Sequence, residues 1–234
     1  MKILAFDTSS KALAVALVED GDILGQVTLN IKKNHSITLM PAIDFLMAQV
    51  GLKPKDLDRI AVAKGPGSYT GLRIAVTTAK TLAYSLDIEL VGVSSLQAMA
   101  KNLDTSSLVV PLMDARRKNV YAGAYLNGES VITDRHTSFD DLVPLLQERD
   151  EEIVFTGEVD NFIDDISEKL PNARVINDSL LKLPSAYQIA LVGVEMEPVE
   201  IHTFVPEYLK RVEAEEKWLE THHEDKDTGY INKI

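Results

Sequence analysis

Lys64-Gly-Pro-Gly-Ser-Tyr-Thr-Gly-Leu-Arg73 is the segment whose residue types and spacing could do chemistry most directly. Gly65 and Gly67 permit positive φ or a close backbone approach, Pro66 stiffens the turn, and Ser68 or Thr70 can cap a following helix. Such a loop can cradle an anion on exposed N–H groups, or serve only as a tight strand-to-helix turn. It has neither the Walker lysine spacing nor the dinucleotide fingerprint. Asp7-Thr-Ser-Ser10 offers a carboxylate at a strand end. Arg116-Arg117-Lys118 is the only run of three consecutive cations, either a solvated hairpin turn or a contact to a nucleic acid or to an acidic subunit surface. The five histidines, His35, His136, His202, His222 and His223, form neither H-x-x-x-H nor H-E-x-x-H. With no cysteine, disulfides, thiolate catalysis and thiolate zinc sites are excluded.

The elements that must position these residues repeat. Residues 2–7, 12–19 and 22–31 read as three strands, with Asp20-Gly21 a hairpin signal. A helix follows from Ser36, carrying Leu39, Ile43, Leu46 and Val50 at helical spacing and stopping at Gly51. Strand 59–63, helix 70–86, strand 90–93 and helix 96–101 complete the order βββαβαβα. From Ser107 the order starts again: strands 108–113, 120–126 and 130–133 with Asn127-Gly128 between the last two, helix 139–147, strand 153–156, helix 161–170, strand 174–176 and helix 185–192. A meander followed by parallel strands with crossover helices predicts mixed sheets covered by helices. Two such units make an α/β protein of duplicated actin-like (ASKHA), ribonuclease-H-like type, with lobes over 1–105 and 106–215 and a flexible tail over 216–234.

A length of 234 residues suits two lobes, and 45% apolar with 26% charged residues is an ordinary soluble composition. The amino terminus reaches Asp7 too soon for a signal peptide or spanning helix, so a cytoplasmic protein is expected. Net charge is −12, divided as +3 over residues 1–118 (14 basic, 11 acidic) and −15 over 119–234 (10 basic, 25 acidic). No basic excess suits solitary binding of nucleic acid. Any nucleic acid is expected to be held mainly by a partner.

The glycine-rich string, with Phe6-Asp-Thr-Ser-Ser10, His35-Ser36, Leu39-Met-Pro-Ala-Ile43, Asp114-Ala-Arg-Arg-Lys-Asn-Val-Tyr121 and Pro206-Glu-Tyr-Leu-Lys-Arg211, resembles the landmarks of the bacterial TsaB (YeaZ) family over roughly residues 2–215. The resemblance implies a role in threonylcarbamoylation of adenosine 37 in tRNAs reading codons that begin with A. It also implies a catalytic paralogue, TsaD, as partner, an ATPase, TsaE, as third member, and ATP and a metal ion held by those partners. Where the paralogue carries an H-x-x-x-H pair, this chain has Ser95 and Met99, poor ligands for a divalent ion. Asp7-Thr-Ser-Ser10 keeps the carboxylate of an actin-like phosphate turn but not its glycine, and Glu158 follows the single glycine of the second lobe's turn. Asp7, Gly65 and Gly67 therefore remain only weak nucleotide candidates.

The two long helices of the first half show more apolar surface than one buried face needs. Met40 and Met47 widen the first stripe, with Phe45 outside it; Leu72, Ala75, Val76 and Ala79 share the second helix with Arg73 and Lys80. Both helices could simply be sandwiched in a core. The resemblance instead implies docking to TsaD, or self-pairing as a homodimer, through Leu39, Met40, Ile43, Met47, Leu72, Arg73, Val76 and Lys80. The expected role is that of a non-catalytic subunit. The alternatives are a self-standing ATPase or kinase and, last, an M22-type metallopeptidase.

Overall fold

The structure, a computed structural model, describes residues 1–31 and 34–210. The expected tail over 216–234 and the pair His222-His223 lie outside the described residues. Strands β1 (Lys2–Asp7), β2 (Leu13–Glu19) and β3 (Asp22–Leu29) form the antiparallel meander. Helix α1 (His35–Val50) begins where the Asn34 side chain accepts from the Ser36 N–H, and ends at Gly51 with φ 78°. Strand β4 (Arg59–Gly65), helix α2 (Tyr69–Leu86), strand β5 (Glu89–Ser94) and helix α3 (Ser95–Ala100) follow. The second half repeats this with β6 (Leu108–Arg116), β7 (Asn119–Leu126), β8 (Glu129–Ser138), α4 (Phe139–Gln147), β9 (Ile153–Gly157), α5 (Ile163–Lys169), β10 (Arg174–Val175) and α6 (Ala186–Val194).

The sheets run β3-β2-β1-β4-β5 and β10-β9-β6-β7-β8. Read from opposite edges these are one strand order, the duplication that the element order predicts. Strand β8 runs to Ser138, five residues beyond the predicted end, because pairing with β7 continues to Asn119. On β1, Leu4 and Phe6 join the core under α1 and α2, whereas Ile3 and Ala5 join the core under α6. Burial on both faces explains why the strand is apolar without alternation.

The last helix of each half packs on the other half's sheet. From α3, Leu96, Met99 and Ala100 pack with Val109, Met113 and Tyr125 of the second sheet. From α6, Ala186, Ile189 and Ala190 pack with Ile3, Ala61 and Val91 of the first. Residues 186–194, placed by the sequence reading in the 106–215 lobe, thus cover the first sheet. Buried Arg59 secures them: its guanidinium donates to the carbonyls of Gly193 (2.5 Å), Val194 (3.2 Å) and Met196 (3.0 Å) and pairs with Glu89 at 2.6 Å. A cation on the free carbonyls of a helix end is doubly favourable.

Residues 199–208 then return along the first lobe. The Val199 N–H donates to the Leu90 carbonyl (2.8 Å), and Lys80 Nζ donates to the carbonyls of His202 (2.9 Å) and Phe204 (2.8 Å). Phe204 fills the space over Gly92, where an added Cβ would lie 2.5 Å from its ring. Truncating this anchor, Phe204→Ala, should destabilise the protein by about 3 kcal/mol. A denaturant midpoint within error of wild type would contradict that role for the strap.

Candidate docking face and interlobe cleft

Five of the eight residues expected at a partner interface are not available to a partner. Leu39, Ile43, Met47 and Val76 are buried in the core that α1 and α2 form with β1, β2 and β4, and Leu72 is buried beside Gly65. That stripe meets the chain's own sheet, which needs an apolar cover. Lys80 is taken up by the 199–208 strap. Arg73 lies over the Tyr69 ring at 5.4 Å, and Tyr69 stacks on Tyr208 with centroids 4.7 Å apart. Of the eight, only Met40 is a large apolar side chain left exposed, at 46%.

The exposed apolar face of α1 lies opposite the core. Ile37 is 68% exposed and Phe45 57%, with Pro41 and Ala48 exposed beside them. Positions 37, 40, 41, 45 and 48 follow helical spacing and form a second stripe, the signal that could have picked out Phe45 in the sequence. On α2, Tyr84 adds a further large side chain at 66% exposure. Helices that close a core with one face and hold large apolar groups in water with the other have the character of an interaction surface.

The glycine loop packs on the chain itself. Gly65 (φ 127°) and Gly67 (φ 155°) adopt conformations that favour glycine. A Cβ at Gly65 would lie 2.5 Å from the Glu207 carbonyl oxygen, and one at Gly67 would lie 2.4 Å from that of Ser9. The Ser68 N–H donates to the Ser9 carbonyl (2.6 Å), the Leu72 N–H to that of Ser68 (2.8 Å), and Thr8 Oγ1 to that of Gly71 (2.8 Å). The β1–β2 turn thus packs against Gly67, and residue 207 of the returning segment packs against Gly65.

Asp7 sits beneath that turn, fully buried. Its Oδ1 accepts from the Ser9 N–H at 2.6 Å, capping the turn, while Oδ2 has no hydrogen-bond partner among the described residues. Burial raises its pKa above the ordinary aspartate value, against the pull of the Ser9 N–H and the His35 charge. The folded state therefore holds this proton more tightly than the unfolded chain. The resulting stability is complete below about pH 4 and is lost as pH rises through the raised value. In thermal melts at stepped pH, Asp7→Asn should gain on wild type as pH rises, reaching about 5 °C at neutral pH. A difference that does not change with pH would remove Asp7 as the cause.

Between the lobes run two adjoining recesses of about 360 and 600 Å³ that share Ser10, Lys11, Asp114 and Glu158. Glu158 Oε2 accepts from the Asp114 N–H at 2.9 Å; burial, then the Asp114 and Asp160 charges, raise its pKa. Asp114, Glu158 and Asp160 line the two recesses together with Lys11, Arg116, Lys182 and Lys210. Met99 lines the smaller recess, its sulfur packed on Gly157, and buried Ser95 has an Oγ without a partner among the described residues. A hydroxyl and a thioether do not make a divalent-cation site, and among the described residues no three His, Asp or Glu come together to supply one. At the lobe junction Asp134 accepts from Ser94 Oγ (2.5 Å) and from the Tyr125 hydroxyl, with burial raising its pKa. The sequence reading missed this carboxylate, because β8 ended short of it only by one residue and no local pattern marks its cross-lobe partner.

Residues 22–218 match the family model described as TsaD, tRNA N6-adenosine threonylcarbamoyltransferase. The tRNA threonylcarbamoyladenosine biosynthesis protein TsaB of Bacillus subtilis (strain 168) is 40% identical over 227 residues, which span 94% of this chain and 99% of the relative. A Pseudomonas aeruginosa crystal structure described as similar to peptidase YEAZ superposes with a TM-score of 0.76 at 27% identity, covering 89% of this chain and 99% of that one. The ROK hexokinase of Thermus thermophilus, at 11% identity and a TM-score of 0.51 over 83% of this chain and 100% of that one, shares the actin-like fold alone. With identity that runs nearly the full length of both chains and two lobes of one strand order, this chain belongs to the TsaB (YeaZ) family of tRNA threonylcarbamoyladenosine biosynthesis proteins.

Proposed function

We propose that this chain is a non-catalytic subunit required for threonylcarbamoylation of adenosine 37 in tRNAs reading codons that begin with A, and that it acts by binding and stabilising the catalytic subunit TsaD. The observation that carries this reading is the outer face of α1 and α2, where Ile37, Met40, Phe45 and Tyr84 stay in water although the core beneath is closed. A partner helix pair laid on that face would bury them, and methionine adapts well to such contacts. A second copy of the chain could use the same face, so a homodimer would compete with TsaD for it.

The cleft supports this division of labour. The glycine loop is closed on the β1–β2 turn, three carboxylates line the recess, and the α3 positions carry a hydroxyl and a thioether. ATP and the metal ion are accordingly assigned to TsaD and to the ATPase TsaE, and the work to the cytoplasm. Among the described residues no helix is long and apolar enough to cross a membrane. Gel filtration of the full-length chain with its cognate TsaD should give co-elution. Separate elution with and without nucleotide would sink the reading. The shared fold keeps a self-standing ATPase or kinase as the second reading, and tight binding of magnesium ATP to the isolated chain in calorimetry would favour it.

A further inference from the structure

Three of the chain's hairpins turn through two residues in the left-handed region. In the first lobe the pair is Asp20-Gly21, with φ 52° and 90°, and between β7 and β8 it is Asn127-Gly128, with φ 52° and 82°. Both are the residue types that such a turn favours. Between β6 and β7 the pair is Arg117-Lys118, with φ 53° and 60°, preceded by Arg116 at φ 68°. Three consecutive long side chains thus stand where an L residue is disfavoured, in a chain that places Asp-Gly and Asn-Gly at its two other turns.

The surrounding structure holds this tip rigidly. Asp114 Oδ1 accepts from the Arg116 N–H at 2.7 Å, Asn119 Nδ2 donates to the carbonyls of Arg116 and Arg117 at 3.3 Å each, and the Phe139 N–H donates to the Lys118 carbonyl at 2.9 Å. The backbone is tied and the side chains are exposed. Arg116 and Arg117 form no ion pair among the described residues, and Lys118 has only a solvated pair with Asp165 at 3.4 Å. Arg116 also lines the 600 Å³ recess together with Lys11 and Lys210. Three cations therefore line this recess beside Asp114 and Glu158, and Arg117 and Lys118 follow Arg116 at the hairpin tip, in a chain whose net charge is −12. Left-handed backbone kept at two arginines whose guanidinium groups form no ion pair among the described residues points to a function outside the fold.

We propose that the β6–β7 hairpin tip, Arg116-Arg117-Lys118, with Lys11 and Lys210 on the adjoining rim, is a contact site for the phosphate backbone of RNA. The inference rests on the reading of this chain as a subunit of a tRNA-modifying complex. Guanidinium groups pair with phosphate oxygens through two hydrogen bonds, and a rigid hairpin holds them without ordering a loop on binding. The acidic remainder of the second half repels the polyanion, so contact at this tip would also orient the RNA on the complex.

The test replaces the cations by the pair that the turn prefers, Arg117→Asn with Lys118→Gly, in the full-length chain assembled with its cognate TsaD. The substitution should leave assembly unchanged in gel filtration and raise the melting temperature by about 4 °C, so lost binding will not reflect lost folding. The affinity of the complex for labelled tRNA should fall, and its salt dependence should become shallower by the share of about two phosphate contacts. The ratio of wild-type to variant affinity should then shrink about tenfold between 50 and 200 mM salt. An unchanged tRNA affinity and salt slope would overturn the inference and leave the subunit reading intact. A variant that no longer assembles with TsaD would overturn it in favour of an acidic protein contact. A wild-type chain that forms no complex with TsaD removes the reading and the inference together.

Discussion

Phe45→Asp should weaken the complex with TsaD by at least about 30-fold while leaving the chain folded. Phe45 is 57% exposed and stands amid Pro41, Met40 and Ala48 on the outer stripe of α1. Aromatic anchors at the centre of an interface contribute about 2 kcal/mol or more, and a carboxylate there must also be desolvated. An exposed position away from caps and glycines changes stability by only about 0.5 kcal/mol, so the melting temperature should move by no more than about 2 °C. Leu39→Asp, six residues earlier on the same helix, should behave in the opposite way. Leu39 is buried under β1 and β2, and a carboxylate there should unfold the lobe before any partner is met. Calorimetric titration with TsaD beside thermal melts of both variants separates the faces. Full affinity in Phe45→Asp would remove the outer face as the docking surface.

Gly71→Ala should destabilise the chain by about 2–3 kcal/mol, reversing the usual sign for a helical glycine. Alanine in a helix interior gains about 1 kcal/mol over glycine. At Gly71 the added Cβ would lie 2.0 Å from the Thr8 carbonyl oxygen, a backbone atom that cannot turn aside. Relief requires α2 to lift from the β1–β2 turn, straining the Thr8 Oγ1 bond to the Gly71 carbonyl and the Ser68 N–H bond to that of Ser9. Overpacking typically costs about 1–3 kcal/mol and occasionally more, and a contact this short against fixed backbone lies at the upper end, which outweighs the helical gain. A fall in melting temperature of about 5–10 °C, followed by circular dichroism, is the expected readout. A rise would mean that α2 does not approach the turn so closely.

The two predictions depend on different depths of reading. The glycine-rich string was visible as a special turn, yet its residue types alone left phosphate and plain backbone as rival occupants. What packs there is the chain's own backbone: Ser9, Thr8 and Glu207, which lie about 60 residues before the loop or 140 after it, approach Gly67, Gly71 and Gly65. Likewise, helical spacing revealed that α1 carries apolar residues beyond a single stripe. It could not say which stripe meets the sheet, because Leu39, Ile43 and Met47 are as apolar as Ile37, Met40 and Phe45. Docking was therefore expected on the face that the core had already taken.

By itself the sequence determined what is local: the Asp20-Gly21 and Asn127-Gly128 turns, the stop of α1 at Gly51, the span of α4, the doubled element order and, through its motifs, the family. These are set by φ preference, capping and periodicity within a few residues. Only the tertiary structure decided that α3 and α6 cross to the opposite sheets, that residues 199–208 strap the first lobe, that the glycine loop closes on the β1–β2 turn, and that α1 leaves Phe45 rather than Ile43 exposed. Each is a choice among surfaces of equal hydrophobicity, made by shape and by backbone pairing between distant segments, and neither leaves a mark in local spacing.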